Sequence, residues 1–472
     1  MRGLFGLLLF FLVLSAFSQY ITWNRTIDIG QQDYGNGVLQ TEDGGYMITG
    51  YTGGYYDPDL LICRLDPYGD TLWTKICNDE GHSTGYSIVQ AENGYIISGF
   101  TSPTENYWNY RVYVLKVDAD GDTVWTKKFG TENRYSPAII KTQDDNYVLL
   151  GCSYAFTSLS YDLIKLDEDG TILWSDTYSW PWGLTLVNSL EECPDGDFIL
   201  SGEALCSTFH SSMMITKVGS TGDSLWTKYY YGDTSNARAV YALPLDNEEL
   251  LICGTEDIPN YQVNKLRFIK VDGIGNIIWE KEYYQWGDYY YISKVRKTDE
   301  DFYLVSGRLQ HHMFLMKTDI NCDSIWTKIF QQDVTSRAND ARETDDGGII
   351  VCGGSAAYTG ASSNIWVLKL DKDGLVAMPE FTVPTQNRIL YNFPNPFTNG
   401  TTIAFSLDQP EEKILFSVFD LKGKVVYQKN LLNSIRGINF FDPHTGDLPN
   451  GMLFYSVEGN SIKKCKSMLK LK

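Results

Sequence analysis

Residues 112–127 read VYVLKVDADGDTVWTK. An apolar run ends in an acidic, glycine-containing turn, and a tryptophan follows within a few residues. The layout returns as LICRLDPYGDTLWTK (61–75), YDLIKLDEDGTILWSD (161–176), MMITKVGSTGDSLWTK (213–228), LRFIKVDGIGNIIWEK (266–281) and MFLMKTDINCDSIWTK (313–328). A last copy, IWVLKLDKDGLVAM (365–378), keeps the start and lacks the tryptophan. The missing one stands at the other end of the chain, Trp23 in YITWNRTID. From Trp23 through Trp73, Trp125, Trp174, Trp226, Trp279 and Trp326 the spacings are 50, 52, 49, 52, 53 and 47 residues. A second motif keeps the same beat and closes on Gly50, Gly99, Gly151, Gly202, Gly254, Gly307 and Gly353.

Each unit resolves into four short strands, a to d. SPAIIKT (136–142) is one strand a; a tight turn at Asp144-Asp145-Asn146 leads to strand b, YVLLG. A longer loop, strand c, the acidic turn and the tryptophan-bearing strand d complete the pattern. Strands of about five residues joined by Asp/Asn/Gly turns form meanders. Four-stranded units repeated every 40–50 residues signal a β-propeller. Seven a, b and c strands but only six following d strands imply seven blades. The spacing predicts that the N-terminal strand, Ile21–Ile27, supplies the seventh d strand beside Ile365–Leu370 and so removes an open edge.

The acidic turn admits three readings. Asp118, Asp120 and Asp122 alternate as in a calcium loop, but the fourth copy has Gly219 and Ser220 where the second has Asp118 and Ala119. A site that needs six or more oxygens cannot lose such ligands. The turn followed by Trp125 also resembles the Asp-box of sialidase blades, yet there the Asp and Gly lie closer together than Asp66 and Gly69 do. A structural turn fits every copy, because Asp caps nearby backbone N–H groups and Gly accepts positive φ. The tryptophan then braces the seam between blades. This layout is similar to the tryptophan-docking repeats of quinoprotein-type propellers, a resemblance that carries over no catalytic residue.

In such a meander the short a–b and c–d turns share one face, and the longer b–c and d–a loops share the other. The long loops are variable and aromatic, as in PTENYWNY (103–110), YSWPWG (178–183) and YYQWGDYYY (283–291). Recognition usually sits on variable loops over a fixed scaffold. Trp108, Trp180, Trp182, Trp286, Tyr290 and Tyr291 are the candidate ligand-binding residues, suited to a glycan or a protein ligand. Catalytic signals are thin. None of the five histidines has metal-ligand spacing, and GxSxG, HExxH and phosphate-binding loops are absent. The expectation is no catalytic residue, no metal and no cofactor, with a glycan-active or quinone-dependent enzyme as the alternative.

The chain carries a net charge of −20, which disfavours nucleic acid. From Asn387 onward eleven Lys/Arg face seven Asp/Glu, so the sign changes there. MRGLFGLLLFFLVLSAFSQ reads as a signal peptide over 1–18, cut before Gln19 and too short to span a membrane. No later run is apolar for eighteen residues, so no membrane span is expected, and the mature protein is expected to be a monomer. Nine cysteines, with Cys152, Cys253 and Cys352 at similar places in successive repeats, read as core fillers rather than a disulfide framework.

The domains expected are an all-β seven-bladed β-propeller over 19–377, a proline-containing linker over 378–387 and a small β-sandwich over 388–472. The last segment resembles the type A C-terminal sorting domain of the type IX secretion system. NFPNPF, with Asn395, Pro396 and Phe397, matches the opening motif of that family. FDLKGKVV, with Asp420 and Gly423, matches its central hairpin. LPNGMLFYSVEGN, with Gly451 and Tyr455, matches its following strand, and KKCKSMLKLK its basic tail. Met452-Leu453 and Cys465 depart from the family pattern. The resemblance implies partnership with the secretion and sorting machinery, export across the outer membrane of a Gram-negative cell, removal of the domain, and surface attachment or release.

Overall fold

The computed structural model describes residues 22–30, 32–54, 57–77, 81–103, 109–130, 134–153, 160–179, 185–205, 211–231, 236–258, 263–284, 289–330, 335–356 and 363–375. Further on it describes 390–393, 397, 401–407, 411–434, 437–441, 443, 446, 448–459 and 463–471. The proposed leader and its cut before Gln19 therefore lie outside the described residues. The chain divides into two compact units, Met1–Pro379 and Glu380–Lys472. Among the described residues both are all-β, apart from a single 3-10 turn at Asp246–Glu248, and no helix is long and apolar enough to cross a membrane.

The first unit holds seven four-stranded antiparallel sheets among its described residues. Six of them are continuous in sequence, spanning 34–77, 81–129, 134–179, 185–230, 237–283 and 290–330. In the seventh, Thr335–Glu343, Ile349–Ala356 and Ser363–Leu370 are joined by Trp23–Ile27 as the fourth strand. That strand runs antiparallel to Ser363–Leu370, with Trp23 opposite Lys369 and Ile27 opposite Ile365.

Strands b and c are buried on both faces, which is why they read as continuous apolar runs rather than alternating ones. In strand b of the first sheet, Tyr46 and Ile48 face a core shared with Ile350, Cys352 and Ile365 of the seventh. Met47 faces the opposite way, into a core shared with Ile88, Ile97 and Leu115 of the second. Equivalent cores join each remaining pair of successive sheets. Seven separate apolar seams thus link the first sheet to the last. Cys63, Cys253 and Cys352 lie in these seams, and the eight cysteines among the described residues are all unpaired; Cys206 lies outside them.

The acidic turn is a cap. Asp118 Oδ1 accepts the N–H groups of Asp120 and Asp122 at 3.0 and 2.8 Å. Asp66, Asp167, Asp272, Asp319 and Asp371 repeat this geometry. In the fourth copy Gly219 keeps only the backbone part of the turn, and Asp197 accepts from Ser220 N at 3.1 Å instead. The glycine within six of the turns has positive φ, as at Gly121 (78°), and Cys322 takes that conformation in the seventh (57°). Each such glycine also offers a bare surface: a Cβ on Gly121, Gly170 or Gly374 would collide with the indole of Trp73, Trp125 or Trp326 from the preceding sheet. The last acid of the turn binds across the same seam, Lys75 to Asp122 at 2.5 Å and Lys281 to Asp323 at 2.7 Å.

A second repeated device is ionic. In four sheets the basic residue two before the turn is buried or nearly so and reaches the a–b turn of its own sheet, whereas Lys116 pairs across the seam with Glu168 at 2.6 Å and Lys317 lies over the Phe302 ring. Arg64 meets Asp43, Lys165 meets Asp144 at 2.6 Å, Lys217 meets Asp195 at 2.8 Å, and Lys369 meets Asp346 at 2.8 Å.

The second unit is a sandwich of a three-stranded sheet (Leu390–Phe393, Thr402–Leu407, Gly437–Phe441) and a four-stranded one (Glu411–Phe419, Val425–Ser434, Gly451–Glu458, Lys463–Lys470). Ile403 and Phe405 from one sheet share a core with Phe416, Val418, Leu453 and Tyr455 from the other.

Candidate functional site

Every strand a carries a β-bulge, and the extra residues it creates meet at the centre of the sheets. The bulges fall at Gly35/Gly37, Gly85/Ser87, Tyr135/Ala138, Val187/Ser189, Ala239/Tyr241, Ile292/Lys294 and Ala338/Asp340. Asn36, Tyr86, Pro137, Asn188, Val240, Ser293 and Asn339, one from each sheet, line a cavity of about 400 Å³. Bulges commonly re-aim side chains in this way. The asparagines also tie neighbouring sheets together: Asn36 Nδ2 donates to Gly85 O at 2.9 Å, Asn188 Nδ2 to Ala239 O at 3.2 Å, and Asn339 Nδ2 to Gly35 O at 2.9 Å.

The bulge explains the repeated glycine closing strand b. A Cβ on Gly99 would lie inside the contact radius of Thr84 O, and Gly50, Gly202, Gly254, Gly307 and Gly353 meet an equivalent carbonyl. None of these glycines has positive φ; close approach alone requires them. Gly151 differs. Its bulge sets two residues, Ser136 and Pro137, opposite Gly151, and the nearest neighbour of a Cβ there is Val112 Cγ2 at 3.3 Å.

A second cavity of about 240 Å³ shares Pro137, Asn188, Ser293 and Lys294 with the first and extends along the strands toward the a–b turns. Beside it Asp340, with no exposed side-chain surface, accepts from Arg296 Nη2 at 3.0 Å and from Arg296 Nε at 3.1 Å. Lys294 Nζ and Arg342 Nε each lie 3.4 Å away. Burial works to raise the Asp340 carboxyl, but the three cations prevail and hold it well below the usual carboxylate range. Glu191 accepts from Tyr241 Oη at 2.6 Å, and its burial raises it above its ordinary value. Burial likewise lowers Lys294 below the usual lysine value.

Of the six candidate aromatics, Trp108, Trp180, Trp182 and Trp286 lie outside the described residues. Tyr290 and Tyr291 both line the larger cavity. The Tyr290 ring packs edge-on to Phe314 at 5.6 Å. Tyr291 is 41% exposed, with the guanidinium of Arg337 4.0 Å and that of Arg308 5.6 Å from its ring centre. Arg337 Nε also donates to Ser293 Oγ at 3.0 Å. The two arginines, and the bulge residues, were not singled out from sequence. The bulge residues share a position but not a chemistry, so only the 50-residue beat could have exposed them.

In the C-terminal unit the motif residues build the fold. Phe397 is buried; its N–H donates to Leu469 O at 2.9 Å and its carbonyl accepts from Leu471 N at 2.7 Å, tying the opening motif to the last strand. Asp420 caps its hairpin through Lys422 N and Lys424 N at 2.8 and 2.9 Å, and Gly423 has φ of 80°. Gly451 has φ of 109°, and Tyr455 is fully buried in the core. Asn395 and Pro396 lie outside the described residues. Residues 392–470 match the family model described as "Secretion system C-terminal sorting domain".

The tail of this chain is a sorting domain. Such a domain marks a protein exported by the type IX system and attached to the cell surface or secreted, and it implies engagement with the secretion machinery. No curated protein matches the chain in sequence.

Among solved structures, the chain is similar to PorZ, described as an essential bacterial surface component of the type-IX secretion system of Porphyromonas gingivalis. Identity is 10%, coverage 92% of this chain and 59% of that one, and the TM-score 0.41. The chain thus spans about three fifths of PorZ. The polysaccharide lyase Uly1 is 9% identical over 72% of this chain and 90% of its own, with a TM-score of 0.49. The β-propeller domain of the Trilobed protease from Pyrococcus furiosus, described as having an open velcro topology, is 10% identical over 76% and 99%, with a TM-score of 0.44.

Proposed function

We propose that this chain is a secreted or cell-surface binding protein without enzymatic activity. In this reading residues 19–377 form a seven-bladed β-propeller closed by Trp23–Ile27, followed by a linker over 378–387. The sorting domain then serves export. The ligand enters the central cavity from the end where Tyr290 and Tyr291 stand, and Trp108, Trp180, Trp182 and Trp286 of the long loops take part in its recognition. The ligand is a glycan or a protein segment.

One observation carries the reading: all seven strands a turn a bulge residue into one cavity of small-ligand size. The carboxylates there support binding over catalysis. Glycoside hydrolysis needs a pair of carboxyl groups, one of them available to a leaving oxygen or a water. Asp340 is held by three cations, Glu191 by Tyr241, and Glu203 by Arg238 at 2.9 Å.

The test is a glycan-array screen of the full chain, followed by incubation with each glycan that binds. The reading expects binding with the glycan recovered intact. Shortened or unsaturated products would replace it with the alternative of a secreted glycan-active enzyme. A protein with no glycan ligand that captures a surface protein through the same cavity would still satisfy it, and one that binds nothing there would not.

A further inference from the structure

We propose that the ligand of this cavity is an acidic glycan, and that Arg337 and Arg308, set against Tyr291, receive its carboxylate or sulfate. The inference rests on reading the cavity as a binding site.

The first support is local charge. The two cavities are lined by six cationic side chains, Lys141, Arg238, Lys294, Arg296, Arg337 and Arg342. Against them stand Glu191 and Glu203 in the lining and Asp340 beside it. The chain as a whole carries −20. A positive cavity in so acidic a protein reverses the surrounding field, and a cleft lined by one sign of charge concentrates ligands of the other.

The second is that these two half-buried arginines lack the carboxylate partner that most buried cations of the sheets have. Arg64, Lys116, Lys165, Arg267 and Lys369 are buried, and each lies within ion-pair distance of a carboxylate, while the buried Lys317 sits over the Phe302 ring instead. Among the described residues Arg337 and Arg308 form no such pair. Arg308 Nε is buried without a hydrogen-bond partner. A cation withdrawn from water without a counter-charge is costly, and a ligand carrying that charge removes the cost.

The third is preorganisation. Ser293 and the Tyr291 ring fix the Arg337 side chain while engaging Nε and the π-face. A guanidinium so placed has the planar fork that forms two parallel bonds to a carboxylate or sulfate. Around it Asn36, Asn188 and Asn339 present carboxamides of the kind that bind hydroxyl groups. A cavity of this volume, ringed by seven strands, admits the end of a chain of one or two sugar rings.

The test is calorimetric titration of the full chain with trigalacturonate, a sulfated galactose trisaccharide, neutral maltotriose and tetraglutamate. Wild type should bind an acidic sugar, the two acidic arms reporting whether carboxylate or sulfate is preferred. Arg337→Gln and Arg308→Gln should each weaken that binding about tenfold, the loss of one charge-assisted contact. Arg337→Lys, which keeps the charge and loses the fork, should fall between, and it carries the test if Arg337→Gln does not fold. Equal binding of maltotriose, indifferent to both arginines, overturns the acidic ligand and leaves the binding site standing. Tighter binding of tetraglutamate overturns the glycan. No binding by any sugar or peptide in wild type, with none found on the array and no surface protein captured through the cavity, overturns the binding site as well.

Discussion

The indole of Trp23 lies against the α-carbon of Gly69, so close that a Cβ on that glycine would fall 2.6 Å from the ring, and Trp23 Nε1 donates to Pro67 O at 3.0 Å. The two residues sit in different sheets. The contact therefore joins the N-terminal strand, paired with the last sheet, to the acidic turn of the first. Arg25 repeats the join by reaching Asp70 at 3.2 Å.

Trp23 is 5% exposed. Trp23→Ala should cost roughly 3–5 kcal/mol, the usual range for deleting a buried large aromatic. Trp23→Phe keeps most of the apolar area, loses the bond to Pro67, and should cost about 1 kcal/mol beyond the volume change. Urea unfolding followed by fluorescence and circular dichroism measures both. Trp23→Ala unfolding at the wild-type midpoint would mean that the N-terminal strand does not help close the ring.

The strand-b glycines give a paired comparison within one protein. Gly99→Ala places a methyl against Thr84 O and should destabilise by roughly 1–3 kcal/mol. Gly151→Ala faces Val112 Cγ2 at 3.3 Å and the Asp162 side chain at 3.5 Å, with no carbonyl among them, and should change stability by about 0.5 kcal/mol or less. Equal midpoints for the two variants would show that the bulge carbonyl is not what demands the glycine.

The acidic turn is expected to need no ion. Asp118→Ala removes the acceptor for two N–H groups and should cost about 1 kcal/mol. Adding calcium to wild type should leave the melting temperature where it is. A clear upward shift with millimolar calcium, lost in Asp118→Ala, would return the turn to the calcium reading.

Acid should loosen the sheets through the a–b turns. Hydrogen bonding from Thr41 and then Arg64 holds Asp43 below its ordinary value. For Asp144, Asp195 and Asp346 burial pushes upward, but bonds from Lys165, Lys217 and Lys369 outweigh it and leave all three depressed. A carboxyl depressed in the folded state contributes stability above its unfolded value near 4, and loses it as the pH falls toward its folded value. The melting temperature should therefore drop as the pH passes below about 4, and the drop should shrink in Asp346→Asn. A flat profile from about pH 5 to 2.5 would contradict the assignment of these pairs as stabilising.

The tryptophan beat made the four-strand units legible because a brace at a seam must recur wherever the seam does. The partner of that brace, the turn glycine of the next sheet, was visible as a letter but not as a surface, since sequence shows no contact between Trp73 and Gly121. The buried basic residues kept the same beat from Arg64 to Lys369. One charge between an apolar strand and an acidic turn reads as solvated, so their burial is not legible in the sequence. The cavity was the least legible part. Its lining alternates Asn, Tyr, Pro, Val and Ser, and a bulge is an extra residue that no period of two predicts. The aromatic loops drew attention to Tyr291, whereas the arginines beside it come from Thr335–Glu343 and from strand b of its own sheet.

The most direct measurement is hydrogen–deuterium exchange of the full chain with and without the glycan that binds best on the array. The account predicts protection centred on the bulges, in peptides covering 34–37, 290–294 and 336–340, and reduced in Arg337→Gln at the same ligand concentration. Protection confined to the outer d strands or to the sorting domain, with those peptides unchanged, would contradict the central cavity as the site of recognition.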